Sequence, residues 1–135
     1  MKHLICALML VFMIPNHAFA EDSKLDKFLG MTYIYHKLCS LSVDIFLNSS
    51  STMEKPTKCI DESKKSAKKD YSELIDTINK NEKVNSMVKD YYAFWITSMD
   101  AIIPVNDELK FRYKERIDQD RKKLSEMSER IKLEF

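Results

Sequence analysis

Val84–Ile103 reads V-N-S-M-V-K-D-Y-Y-A-F-W-I-T-S-M-D-A-I-I, and the way its apolar residues repeat decides the fold. At helical spacing one stripe runs Val84, Met87, Val88, Tyr91, Trp95 and Ile102. A second runs Val88, Tyr92, Ile96, Met99 and Ile103. Two adjacent stripes form an arc too wide for one neighbour, which places this helix centrally in a bundle. Ser86, Asp90, Ala93, Thr97 and Asp100 make the narrow strip left for water.

A helix of the same kind is expected earlier, from Asp22 or Ser23 as N-cap to about Leu47. Leu25, Phe28, Leu29, Cys39, Val43 and Phe46 form one of its stripes, and Met31, Ile34, Leu38, Leu41 and Ile45 the next. The remaining strip (Asp26, Gly30, Tyr33, Lys37, Ser40, Asp44) is polar or small. Its wide apolar arc makes this helix the partner of the central one. Gly30 costs about 1 kcal/mol against Ala in a helix interior, which points to close packing or to a helix that starts after it.

Two thinner helices cover this pair. Asn48–Thr57 has no periodicity and reads as a loop; Thr57 then caps a helix to about Asn79, with Ile60, Ala67, Tyr71, Leu74, Ile75 and Ile78 as its few apolar positions. Its Lys64, Lys65, Lys68 and Lys69 read as a solvated face balanced by Asp61, Glu62, Asp70 and Glu73. Asn81 caps the central helix and Pro104 closes it. The last helix, Asp107 to Glu134, has a thin seam of Tyr113, Ile117, Leu124, Met127 and Ile131, interrupted by Asp120. Such a seam docks as an outer helix or pairs with a second copy, so a homodimer through the 107–134 helix is one expectation. The fold class is therefore all-α, an up-down bundle of about four helices with the first and third central. A three-helix core with a projecting fourth helix is the alternative.

Residues 1–20 have the pattern of a signal peptide: Lys2 and His3, an apolar core Leu4–Ile14, the Pro15-Asn16 break and Ala18-Phe19-Ala20 before the cut. Residues 21–135 are then one domain, periplasmic or secreted. Without Lys2, the 22 basic residues become 21, equal to the 21 acidic ones. That balance argues against a nucleic-acid partner, and no later stretch is apolar enough to be a transmembrane segment.

Cys39 and Cys59 are the two cysteines beyond residue 20, and in an oxidising compartment they are expected to form a disulfide. The link is worth about 3 kcal/mol in the chain-entropy model. With Cys39 eight residues before the end of its helix and Cys59 at the start of the next, helix one overhangs by about 12 Å. Val43, Ile45, Phe46 and Leu47 lie on that overhang, with Met53 as the loop's hydrophobic residue, and form a candidate partner-binding edge. The competing expectation is that Pro104, Val105 and Leu109 cap it.

Catalytic machinery is sparse. His36 is the one histidine beyond residue 20, read as a surface or boundary residue, and the carboxylates sit at ion-pair spacing. A His36, Cys39, Cys59 metal set completed by Asp61 or Glu62 conflicts with oxidation of the cysteines, so neither metal nor cofactor is expected. The expected function is non-enzymatic binding of a protein partner in the envelope or outside the cell, as an inhibitor, immunity or accessory protein. The alternative is a carrier whose hydrophobic ligand is lined by Tyr91, Tyr92, Trp95 and Met99.

Overall fold

The computed structural model describes residues 17–49, 52–105 and 108–135, with backbone only for 17–22. Four helices follow in order: α1 (His17–Leu47), α2 (Glu54–Ile78), α3 (Glu82–Asp100) and α4 (Lys110–Glu134). Each runs antiparallel to the one before it, and ion pairs between helices mark the ring. Lys27–Asp70 (3.4 Å) ties early α1 to late α2, and Lys64–Asp100 (2.5 Å) ties early α2 to the end of α3. Lys83–Glu134 (2.6 Å) ties the start of α3 to the end of α4, and Lys132–Asp26 (2.7 Å) closes α4 back onto α1. This is the expected up-down bundle, with the fourth helix packed rather than projecting.

α1 and α3 face each other diagonally across the core, bridged by the large aromatics of α3. Val84, Val88, Tyr91, Trp95, Met99 and Ile102 are fully buried, while Ser86, Asp90, Ala93, Thr97 and Asp100 are all exposed, as their periodicity requires. The Trp95 Nε1–H donates to the Thr32 carbonyl at 2.7 Å, and the Tyr91 hydroxyl shares a 2.8 Å bond with Thr32 Oγ1. Those bonds satisfy the polar ends that aromatic side chains carry into a core. Phe28 stands edge-on to Tyr91, and Tyr92 stacks between Tyr71 and Trp95. Asn81 caps α3 by accepting from the Val84 N–H (3.1 Å).

The thin helices bury what they have: Ile60, Ala67, Leu74 and Ile78 from α2, and Tyr113, Ile117, Leu124 and Ile131 from α4. Of the two uses expected for the α4 seam, the structure shows the docked outer helix, with the seam facing into the bundle. Outward, α4 presents mostly charge, with Phe111 and Leu133 exposed among it.

Helix boundaries differ from expectation in four places, one of them the end of α3, which stops at Asp100, short of Pro104. α1 begins at His17, upstream of the Asp22 or Ser23 cap; the apolar core Leu4–Ile14 lies outside the described residues. α2 begins at Glu54 rather than at Thr57. Pro56 fits its first turn, where a backbone N–H has no intrahelical partner to lose. The Thr57 hydroxyl donates back to the Met53 carbonyl (3.0 Å) instead of capping. α4 begins at Lys110, and Asn106 and Asp107 lie outside the described residues.

Neither explanation for Gly30 holds. The helix starts well before it, and a Cβ built there meets nothing within 4 Å. Gly30→Ala is therefore expected to raise unfolding stability by about 0.5–1 kcal/mol, through the lost backbone freedom of the unfolded chain. Urea unfolding checks this, and a destabilised variant would mean the glycine is needed for a contact.

Candidate protein-binding face

The Cys39–Cys59 disulfide, with Cα atoms 5.5 Å apart, fixes both the height and the rotation of α1. Height first: Cys59 is the sixth residue of α2, so α1 passes the start of α2 by only three residues, about 4.5 Å. The expected 12 Å overhang shrinks because α2 begins early. Val43 is fully buried and belongs to the core, correcting its place in the partner-binding edge. Phe46 and Met53 are half-buried, whereas Ile45 and Leu47 are exposed. Val105 and Leu109, expected to cap this end, are themselves exposed (74% and 55%).

Rotation matters more. At about 100° per residue, turning Cys39 toward α2 puts Leu25, Phe28, Leu29, Thr32, His36, Ser40 and Val43 on the inner side. All seven are buried. The same rotation carries the second stripe to the opposite side. Ile34, Leu38, Leu41 and Ile45 are 45%, 53%, 53% and 57% exposed, and Met31 is half-buried. Half of the apolar arc expected to fill the core therefore forms a continuous outer face.

This face is flanked by two grooves. On the α4 side a groove of about 320 Å³ is lined by Lys37, Ser40, Leu41 and Asp44 of α1 with Tyr113, Lys114, Ile117, Asp118 and Arg121. On the α2 side a shallower one, about 440 Å³, lies among Tyr35, Leu38, Lys55, Lys58, Cys59 and Glu62. The ridge of leucines and isoleucines stands between them, framed by charges of both signs.

His36, read from the sequence as a surface or boundary residue, is fully buried, with neither ring nitrogen hydrogen-bonded. Burial lowers its pKa to about 4, with the Arg121 and Arg116 guanidinium groups adding to the effect. The charges that act on it are cationic, and among the described residues no carboxylate adds to the effect. Both cysteine sulfurs are taken up in the disulfide, so the metal set considered around His36 loses two of its ligands. Of the carrier residues, Tyr91, Trp95 and Met99 are fully buried and Tyr92 is half-buried in the aromatic stack. Among the described residues no helix is long and apolar enough to cross a membrane.

The outer stripe itself was visible in the sequence. What was missing was its direction, and the cue available was Cys39, which lies about 100° from Leu38 and 160° from Leu41 around the helix. Comparison with protein-family models, curated proteins and solved structures finds no match, so the face must be read from its own chemistry.

Proposed function

We propose that this is an exported, non-enzymatic helical protein that works by recognising a protein through the outer face of α1. The observation that carries the reading is the exposed row Ile34, Leu38, Leu41 and Ile45 on a helix whose opposite side is fully packed. A contiguous apolar row of this kind, rimmed by charge, is a usual mark of a protein-interaction surface. Export rests on the signal-like pattern of residues 1–20 and agrees with a disulfide, which persists in oxidising compartments such as the periplasm. The packed, hydrogen-bonded state of Tyr91 and Trp95 supports a structural rather than a carrier role for the aromatic cluster.

Leu38→Glu and Leu41→Glu test the reading. Both positions are exposed, so stability should change by less than about 0.5 kcal/mol, while complexes cross-linked in the native envelope should be lost. Asp90→Lys, on the polar strip of α3, should leave them intact. Complexes that survive either glutamate substitution would overturn the assignment of this face.

A further inference from the structure

The outer face has a register as well as an exposure. Met31, Ile34, Leu38, Leu41 and Ile45 recur at alternating steps of three and four, the a and d spacing by which two helices interlock. In that register Lys37 and Asp44 take successive g positions on the flank next to α4. Tyr35 and Ser42 take the e positions on the opposite flank.

Consider a second α1 laid antiparallel on the first, with Leu38 against the copy's Leu41 and Ile34 against the copy's Ile45. The g positions then face one another, and Lys37 meets the copy's Asp44 on both sides of the two-fold axis. A parallel pair instead sets Lys37 beside Ser42 and Asp44 beside Ser49, with no opposite charges matched. Both groups have capacity for the contact. Lys37 has no ion pair among the described residues, and Asp44, its side chain 31% exposed, is paired to Lys114 at 3.7 Å, too long for a hydrogen bond.

We infer that the outer face of α1 takes a second copy of this chain, packed antiparallel through Ile34, Leu38, Leu41 and Ile45 and keyed by reciprocal Lys37–Asp44 pairs. The inference rests on the reading of this face as a recognition surface and names its occupant. The interface is self-complementary, as a two-fold dimer requires. A different protein binding the same ridge must displace the copy, so self-association and recognition would compete.

Sedimentation equilibrium of the purified chain over a range of concentrations tests it. The expected result is a monomer–dimer equilibrium that Leu38→Glu abolishes. Lys37→Asp or Asp44→Lys alone turns two attractive pairs into two repulsive ones and should weaken association about tenfold. Mixing the two variants restores both attractive pairs and should restore the dimer, a result that an unkeyed apolar face cannot produce. Circular dichroism establishes that each variant is folded, and Lys37→Asp, at an exposed position, keeps the test decisive should Asp44→Lys not fold. A chain that is monomeric throughout, a dimer indifferent to Leu38→Glu, or single swaps without effect would overturn the inference. A monomeric chain whose envelope complexes are still lost on Leu38→Glu would remove the copy as occupant and leave the recognition face standing.

Discussion

Trp95→Ala is expected to destabilise the fold by about 3–5 kcal/mol, the range for truncating a buried large aromatic. Three losses combine. The indole is fully buried, so its removal leaves a cavity that the four helices, two of them joined by the disulfide, can close only in part. Its stacking on Tyr92 goes, loosening the Tyr71–Tyr92 pair beyond it. Its Nε1–H also ceases to satisfy the Thr32 carbonyl, one of the bonds that join α1 and α3 diagonally. Chemical unfolding with circular dichroism as readout measures the loss, and native Trp95 fluorescence should be blue-shifted. A near-neutral substitution with red-shifted emission would place Trp95 at the surface and undo the core described above.

The second large effect is a loss of stability in mild acid that depends on His36. The imidazole is neutral in the fold, with its pKa lowered from 6.5 to about 4. As pH falls the unfolded chain therefore takes up the proton first, and stability declines from about pH 6.5 downward, levelling off below the folded-state value. Across the whole interval the loss is on the order of 3 kcal/mol. Glu108, whose carboxyl is held below its ordinary value of 4.5 by the Arg116 fork, adds its own loss only at lower pH. The window between pH 6.5 and 5 thus reports mainly on His36. His36→Leu should flatten that window. It should cost little at pH 7, because the ring it replaces leaves two buried nitrogens without hydrogen-bond partners. Urea unfolding at pH 7, 6 and 5 decides the matter: equal stability of the wild-type chain at all three would show that the ring is already solvated.

The fold was legible because α3 states its own orientation. Val84, Val88, Tyr91, Trp95 and Met99 on one side, and Asp90, Thr97 and Asp100 on the other, leave a single rotation that buries the first set. Asn81 and the α4 seam were legible for the same local reason, a cap that accepts an N–H and a narrow row with charge around it. α1 was not, because it carries apolar residues over most of its circumference and periodicity alone gives no preferred face. Its rotation is set by distant partners: Cys59, which pulls Cys39 toward α2, and the Tyr91 and Trp95 polar ends, which find Thr32. Those contacts turn Thr32, His36 and Ser40 inward at the expense of Ile34, Leu38, Leu41 and Ile45. The overhang at the end of α1 is shorter than expected for a smaller reason. Cys59 lies a turn and a half inside α2, because Pro56 opens the helix rather than blocking it.

If α1 is a recognition helix, its outer side is covered when the protein is at work. A photo-reactive residue placed at Leu38 in the native envelope measures that directly, with the same residue at Asp90 as control. The expected result is a defined protein adduct from position 38 and none from position 90, and an adduct of twice the chain mass would identify the copy. No adduct at 38, or equal labelling at both positions, would contradict it.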